Sequence, residues 1–154
     1  MKLFTKVKTI TARDGSLHFE RWAIIETTRF ALYLHRIHRA DKDHLHSHPW
    51  NFWSCILKGT YLEEVRDGMK SFIKTRSPGV MGFTSTCIFH KIKEVVKGPV
   101  YTLVFTWGGS FEGDKWGYWV DGKKIPFRTY FAYKDQAKKE KLTIENLIHI
   151  GWKP

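Results

Sequence analysis

Cysteine is scarce: Cys55 and Cys87 are the only two in 154 residues. Each sits among apolar or small neighbours (Ser54-Cys55-Ile56 and Thr86-Cys87-Ile88), the setting of buried free thiols and not of a disulfide framework. Long apolar runs are missing too. No stretch approaches the ~20 apolar residues of a membrane helix, and the opening Met-Lys-Leu-Phe-Thr-Lys has no run long enough for a signal peptide. A cytoplasmic protein without a membrane partner is the expectation. Acidic residues are few: 15 Asp and Glu face 26 Lys and Arg, for a net charge of +11. That balance favours an anionic small-molecule ligand. It also admits nucleic acid, but no basic stripe with regular aromatic interleaving marks such a surface. Linkers, repeats and low-complexity segments are absent, so residues 1–154 are expected to form a single domain.

Aromatic residues are plentiful. Seven Trp, eleven Phe and a hydrophobic fraction of 42% supply a substantial core and argue against disorder. Trp50, Trp53, Trp107, Trp116 and Trp119 are expected mostly in that core, with one or two walling a pocket.

Hydrophobic periodicity is that of strands. Phe30, Leu32 and Leu34 alternate with Ala31, Tyr33 and His35. An aromatic-rich segment runs from His44 to Leu57, Lys58-Gly59-Thr60 reads as a turn, and Tyr61 to Arg66 is the next strand. Asp67-Gly68 and Asp121-Gly122 are two-residue hairpin signals. Strands are expected over Met69–Thr75, Val80–Phe83, Ile88–Val96, Val100–Trp107, Trp116–Val120 and Ile125–Phe131. Gly98-Pro99 breaks the pattern, and Gly108-Gly109 opens a loop. Lys134 to Leu142 is rich in helix formers and reads as a short surface helix. Many short strands with regular turns point to a sandwich or barrel.

Three of the eight histidines fall in His44-Leu45-His46-Ser47-His48-Pro49-Trp50. Residues two apart in a strand share a face, so His46 and His48 can reach one metal ion from one wall. His44 shares that face if the strand begins early; it then either replaces His46 in the pair or lines the mouth. Pro49 biases His48 towards extended backbone and belongs where no ladder bond is needed. Imidazole suits Fe, Zn, Ni or Mn. The third ligand must come from elsewhere, and His90, on a different expected strand, is the best candidate.

These residues resemble the cupin superfamily. Its first motif is a His-x-His pair, a Glu four residues on and a Gly seven further; here His46, His48 and Gly59 fall at those spacings. Its second motif is a Pro-Gly turn followed by a His; here Pro78-Gly79 and His90 play those parts across a longer gap. The Glu position is Phe52, a departure that leaves three histidines without the usual carboxylate. The ordered set from about residue 30 to 131 is also similar to an uncharacterised group of small bacterial and phage cupin-like proteins. The shared features include Arg36, Asp41, His46-x-His48-Pro49-Trp50, Leu57-x-Gly59-x-Tyr61-x-Glu63 and Tyr130. The resemblance implies an all-β, cupin-type jelly-roll β-barrel with a short C-terminal helix in the tail 132–154. It also implies a divalent metal at His46, His48 and His90, and a homodimer paired through strands at the barrel edge.

Glu63 and Glu64 face opposite sides of their strand. The family pattern puts Glu63 inside, as fourth ligand or general base, where it requires a partner. Arg36, Arg66 and Arg128 are candidates to grip an anionic substrate through the guanidinium fork; His44, Trp50 and Tyr61 are further substrate-side candidates. At most one of His35 and His38 lines the cavity, and solvent or core suits both. His18 and His149 are expected at the surface. A metal-dependent dioxygenase of the non-haem iron type is the leading expectation. A binding module for an anionic ligand such as a nucleotide, and a metal-independent isomerase or epimerase, are the alternatives.

Overall fold

A computed structural model of the chain describes residues 1–11, 15–109 and 115–154. Ten strands and two helices follow in order: β1 (Lys2–Thr11), β2 (Leu17–Glu26), β3 (Phe30–Ile37), β4 (Leu45–His46), β5 (Trp50–Asp67), β6 (Lys70–Arg76), β7 (Met81–Thr84), β8 (Phe89–Gly109), β9 (Gly117–Val120), β10 (Lys123–Pro126), α1 (Phe127–Glu140) and α2 (Ile144–His149). All pairings are antiparallel. The order is β1-β2-β3-β8-β4-β9-β10, with β5 lying on β8 and carrying β6 and β7. The architecture is the expected all-β jelly-roll barrel. No described helix is long and apolar enough to cross a membrane. The loop expected after Gly108-Gly109 runs into residues 110–114, outside the described residues.

Two long strands build the barrel. The turn expected at Lys58-Gly59-Thr60 and the break at Gly98-Pro99 are corners inside β5 and β8, not gaps between strands. The two corners lie against each other. Gly59 has φ +83°, and a Cβ there would stand 2.6 Å from the Lys97 carbonyl oxygen and 2.9 Å from the Val100 Cα, so only glycine fits. Bulges between Ile56 and Tyr61 accompany the bend and change the parity of β5. Phe52, Ser54 and Ile56 are buried before it, and Tyr61, Glu63 and Val65 after it. That shift brings Phe52 and Glu63 to the same interior although they are eleven residues apart.

The Asp121-Gly122 hairpin forms as read, both residues having positive φ. The earlier hairpin turns one residue late, on Gly68-Met69, because Asp67 still pairs with Lys70. The last expected strand is corrected more severely. β10 ends at Pro126 and α1 begins at Phe127. Proline has no N–H to offer a strand partner and suits a helix start. The aromatic residues after it, Phe127, Tyr130 and Phe131, sit at helical spacing and pack on Tyr118. The helix therefore starts seven residues before Lys134, and α2 follows it behind a Thr143–Asn146 capping box. Together they close one side of the molecule on a core of Tyr118, Val120, Ile125, Tyr130, Ile144 and Leu147.

One tryptophan departs from the expected core, and another walls the pocket as expected. Trp53 is 46% exposed on the outer face, where it meets Phe83. Trp50 lines the interior cavity. Trp119 carries the Arg66 guanidinium on its ring.

Candidate metal centre

A cavity of about 220 Å³ opens into the barrel. Three imidazoles converge on it. His46 sits on β4 directly opposite His90 on β8, and His48 follows in the short connection to β5. Pro49, buried between β4 and β5, falls where no ladder bond is required. One ligand-capable nitrogen from each of His46, His48 and His90 lies within 4.8 Å of the others. The Nε2 atoms of His48 and His90 face each other at 2.8 Å.

These side chains fit a cation. Burial, then the neighbouring His90, pushes His46 down to about 4 and His48 well below the ordinary histidine value. Both are therefore neutral at pH 7, the form that binds a metal. His46 Nδ1 is buried with no hydrogen-bond partner among the described residues, which would be costly if nothing met it. Two nitrogens on neighbouring positions of one ion, each about 2.1 Å from it, stand ~3.0–3.4 Å apart. The His48–His90 spacing is near that range.

Glu63 answers the question raised by Phe52. Its Oε1 accepts from His90 Nδ1 at 2.7 Å, and its Oε2 lies 3.6 Å from Arg76 Nε. Burial pushes its carboxyl up, but the His90 hydrogen bond and the charges of His90 and Arg76 outweigh that and hold it below the ordinary value. An ionised carboxylate only accepts, so Nδ1 of His90 carries the proton of this bond and Nε2 is the nitrogen turned to His48. Glu63 stands behind His90. Phe52, where the cupin motif carries Glu, packs edge-on against His48 at 5.2 Å and beside His90 at 5.7 Å.

Arg76 completes this support and was missed in the sequence. Its Nη2 donates to Ser54 Oγ at 2.6 Å. Gly82 makes room for it, since a Cβ there would collide with the guanidinium. Nothing in the sequence marks an arginine ahead of a Ser-Pro-Gly turn as buried.

The other candidates divide. Trp50 and Tyr61 line the cavity with the triad. Arg36, Arg66, Arg128 and His44 do not. Arg36 reaches Glu20, which also binds Lys6 and His38. Arg66 lies over Trp119, and Arg128 is exposed on the outer side of α1. His44 is held between Tyr130 Oη at 2.9 Å and Glu145 Oε1 at 2.7 Å, against the C-terminal helices. His149 pairs with Asp121 at the surface.

Instead, Lys8, Arg21, Arg39, His18 and His35 reach the cavity. On β3 the buried residues are Ala31, His35 and Ile37, while Phe30 is exposed and Leu32 and Leu34 are only partly buried. The more apolar face of that strand is the outer one. Alternation was visible in the sequence; which face turned inward was not.

No protein-family model matches the sequence, and no curated protein matches it. Solved structures do. A Trp-to-Tyr variant of oxalate decarboxylase from Bacillus subtilis aligns with a TM-score of 0.57 at 14% identity, covering 100% of this chain and 41% of that one. KdgF from Halomonas sp. aligns with a TM-score of 0.51 at 12% identity, covering 72% of this chain and 97% of that one. Fe(II)-HppE aligns with a TM-score of 0.50 at 12% identity, covering 66% and 55%. The chain thus spans about two fifths of the oxalate decarboxylase and about half of HppE. The Bacillus subtilis oxalate decarboxylase is described with Mn(II) centres and HppE with Fe(II). At these identities the likeness shows the fold, which is that of the cupins.

Proposed function

We propose that the protein is a metal-dependent oxygenase acting on a small anionic molecule. The observation that carries this reading is the convergence of His46, His48 and His90 on the barrel cavity, with Phe52 where the cupin motif has a carboxylate. Those three histidines would hold the ion. When bound, it would supply a Lewis-acid and redox centre of the kind three imidazoles offer. The fold neighbours described with Fe(II) and Mn(II) favour one of those two metals over Zn or Ni.

The chain's own residues prepare the site. Glu63 fixes the tautomer and orientation of His90, and Arg76 keeps Glu63 ionised. Ile37, Phe52, Ile92 and Val104 line the cavity with apolar surface that limits water. Lys8, Arg21 and Arg39 outnumber Asp41 and Glu63 among the charged residues lining the cavity, a balance that favours an anion.

The test is anaerobic loading with Fe(II) or Mn(II), metal analysis, and oxygen uptake in the presence of a panel of small organic acids. Stoichiometric metal in the wild type, its loss in His46→Ala and His90→Ala, and acid-dependent oxygen uptake are expected. Equal metal content in wild type and both variants would remove the metal from the proposal. Stoichiometric metal without oxygen uptake would remove the oxygenase.

A further inference from the structure

Arg21 forms no ion pair with a carboxylate of the described residues, although the charge of Glu26 acts on it from beside Tyr33. It projects from β2 into the cavity that holds the histidine triad. Its Nε donates to His35 Nε2 at 2.9 Å. Its guanidinium carbon lies 4.7 Å from the centre of the Tyr33 ring and 5.6 Å from that of Phe19. The nearby acids are occupied elsewhere. Glu26 binds Lys2 and the Tyr33 hydroxyl. Glu63 binds His90 and Arg76, and Asp41 accepts from the Ile92 backbone N–H. No ion pair to Arg21 is formed among the described residues.

A half-buried cation without a carboxylate paired to it is costly. Its persistence here has a physical frame. His35 is neutral, burial and then the charges of Arg21 and Lys8 holding it well below the ordinary histidine value, so its Nε2 accepts from Arg21. The aromatic rings cover the guanidinium faces. Nε is used by His35, while no hydrogen bond of the described residues uses Nη1 or Nη2. What remains is the terminal fork, the part that pairs with two oxygens of one planar anion.

We infer that Arg21, positioned by His35, is the carboxylate-binding residue of this cavity, and that the substrate class is small organic acids. The inference rests on the reading of the cavity as a substrate site. A carboxylate matches the fork with its two oxygens. A phosphate would leave further oxygens facing Ile37, Val104 and the other apolar walls. The cavity of about 220 Å³ limits the acid to a small one, below the usual ~300–1,000 Å³ of drug-sized pockets. Arg21 and the triad then hold one molecule at two places.

The probe is succinate, titrated by calorimetry into metal-free wild type, Arg21→Gln and Arg21→Lys, with succinamide and inorganic phosphate as controls. Thermal melting of each variant and its Fe(II) or Mn(II) content are measured in parallel. Arg21→Gln is expected to weaken succinate at least tenfold while keeping the metal content and a cooperative melt. Arg21→Lys is expected to fall between, and succinamide to bind no protein measurably. His35→Leu should weaken succinate with Arg21 still present, and His35→Gln, which keeps an acceptor, should recover part of it. Equal succinate affinity in wild type and a folded Arg21→Gln overturns the inference. Phosphate that outcompetes succinate in an Arg21-dependent way overturns the substrate class. Arg21-dependent succinate binding in a wild type that takes up no metal upholds the inference while refuting the metal-dependent function.

Discussion

The carboxylate of Glu63 lies 2.7 Å from His90 Nδ1, on the side of the imidazole away from His48. The carboxylate expected as a fourth ligand is thus hydrogen-bonded behind a candidate ligand. Removing its charge should leave the metal site present but weaker. Glu63→Gln is expected to lower metal affinity by about 10–100-fold, read by competition with a chelator of known affinity. His90→Ala should abolish binding under the same conditions. Equal affinity in Glu63→Gln and wild type would separate Glu63 from the metal.

The corner at Gly59 is as specific as the triad. A Cβ there meets backbone on both sides of the Gly98-Pro99 bend, and φ is +83°. Backbone cannot step aside as a flexible side chain can. Gly59→Ala is expected to destabilise the protein by about 2 kcal/mol or more, measured by urea denaturation. Gly68→Ala, where nothing lies within 4 Å of the built Cβ, should cost less.

The fold class and the triad were legible because each rests on short-range pattern. His46 and His48 are two apart, and a strand turns that spacing into a shared face. The turn residues at Asp121-Gly122 demand positive φ and receive it. What escaped depends on long-range packing. Nothing near Arg21 or Arg76 in the sequence shows that either is enclosed. The parity change across Gly59 is set by β8, which is forty residues away in sequence. Arg36 looked like a substrate residue because it has the right chemistry, but its strand turns it towards Glu20. The helix α1 was misread at its start because Phe and Tyr are strand formers in isolation. Here tertiary contacts to Tyr118 decide the matter.

His35 gives the metal-free protein a pH dependence of defined sign. In the fold it is neutral, burial and then Arg21 and Lys8 holding it well below 6.5. The unfolded chain takes up the proton near 6.5, so below that pH the unfolded state binds more protons. Stability contributed by this group is therefore present above 6.5 and is lost as pH falls below it. A single such group accounts for about 1 kcal/mol between pH 7.5 and 5.5. His35→Gln should lose correspondingly less over that interval in urea melts. His46 and His48 act with the same sign in both proteins, and His35 is only the last and smallest influence on His48, so most of the difference belongs to His35. Parallel losses in wild type and variant would assign the acid limb to other groups.

His44 and His46 are two residues apart, and a strand could offer either to a metal. The structure separates them through the C-terminal helices. Tyr130, 1% exposed and stacked on Tyr118 at 3.6 Å, puts its hydroxyl 2.9 Å from His44 Nδ1. Glu145 of α2 takes the other ring nitrogen at 2.7 Å. Both nitrogens of His44 are thus occupied by protein, whereas His46 keeps a buried nitrogen without a partner. His44→Ala should therefore retain stoichiometric metal and lose stability, and His46→Ala should lose the metal. Tyr130→Phe removes the shared hydroxyl and keeps the ring stack, so about 1–2 kcal/mol of stability should be lost with metal content unchanged. Loss of metal in His44→Ala with retention in His46→Ala would put His44 in place of His46 beside His48, and would remove His44 from the helix clasp.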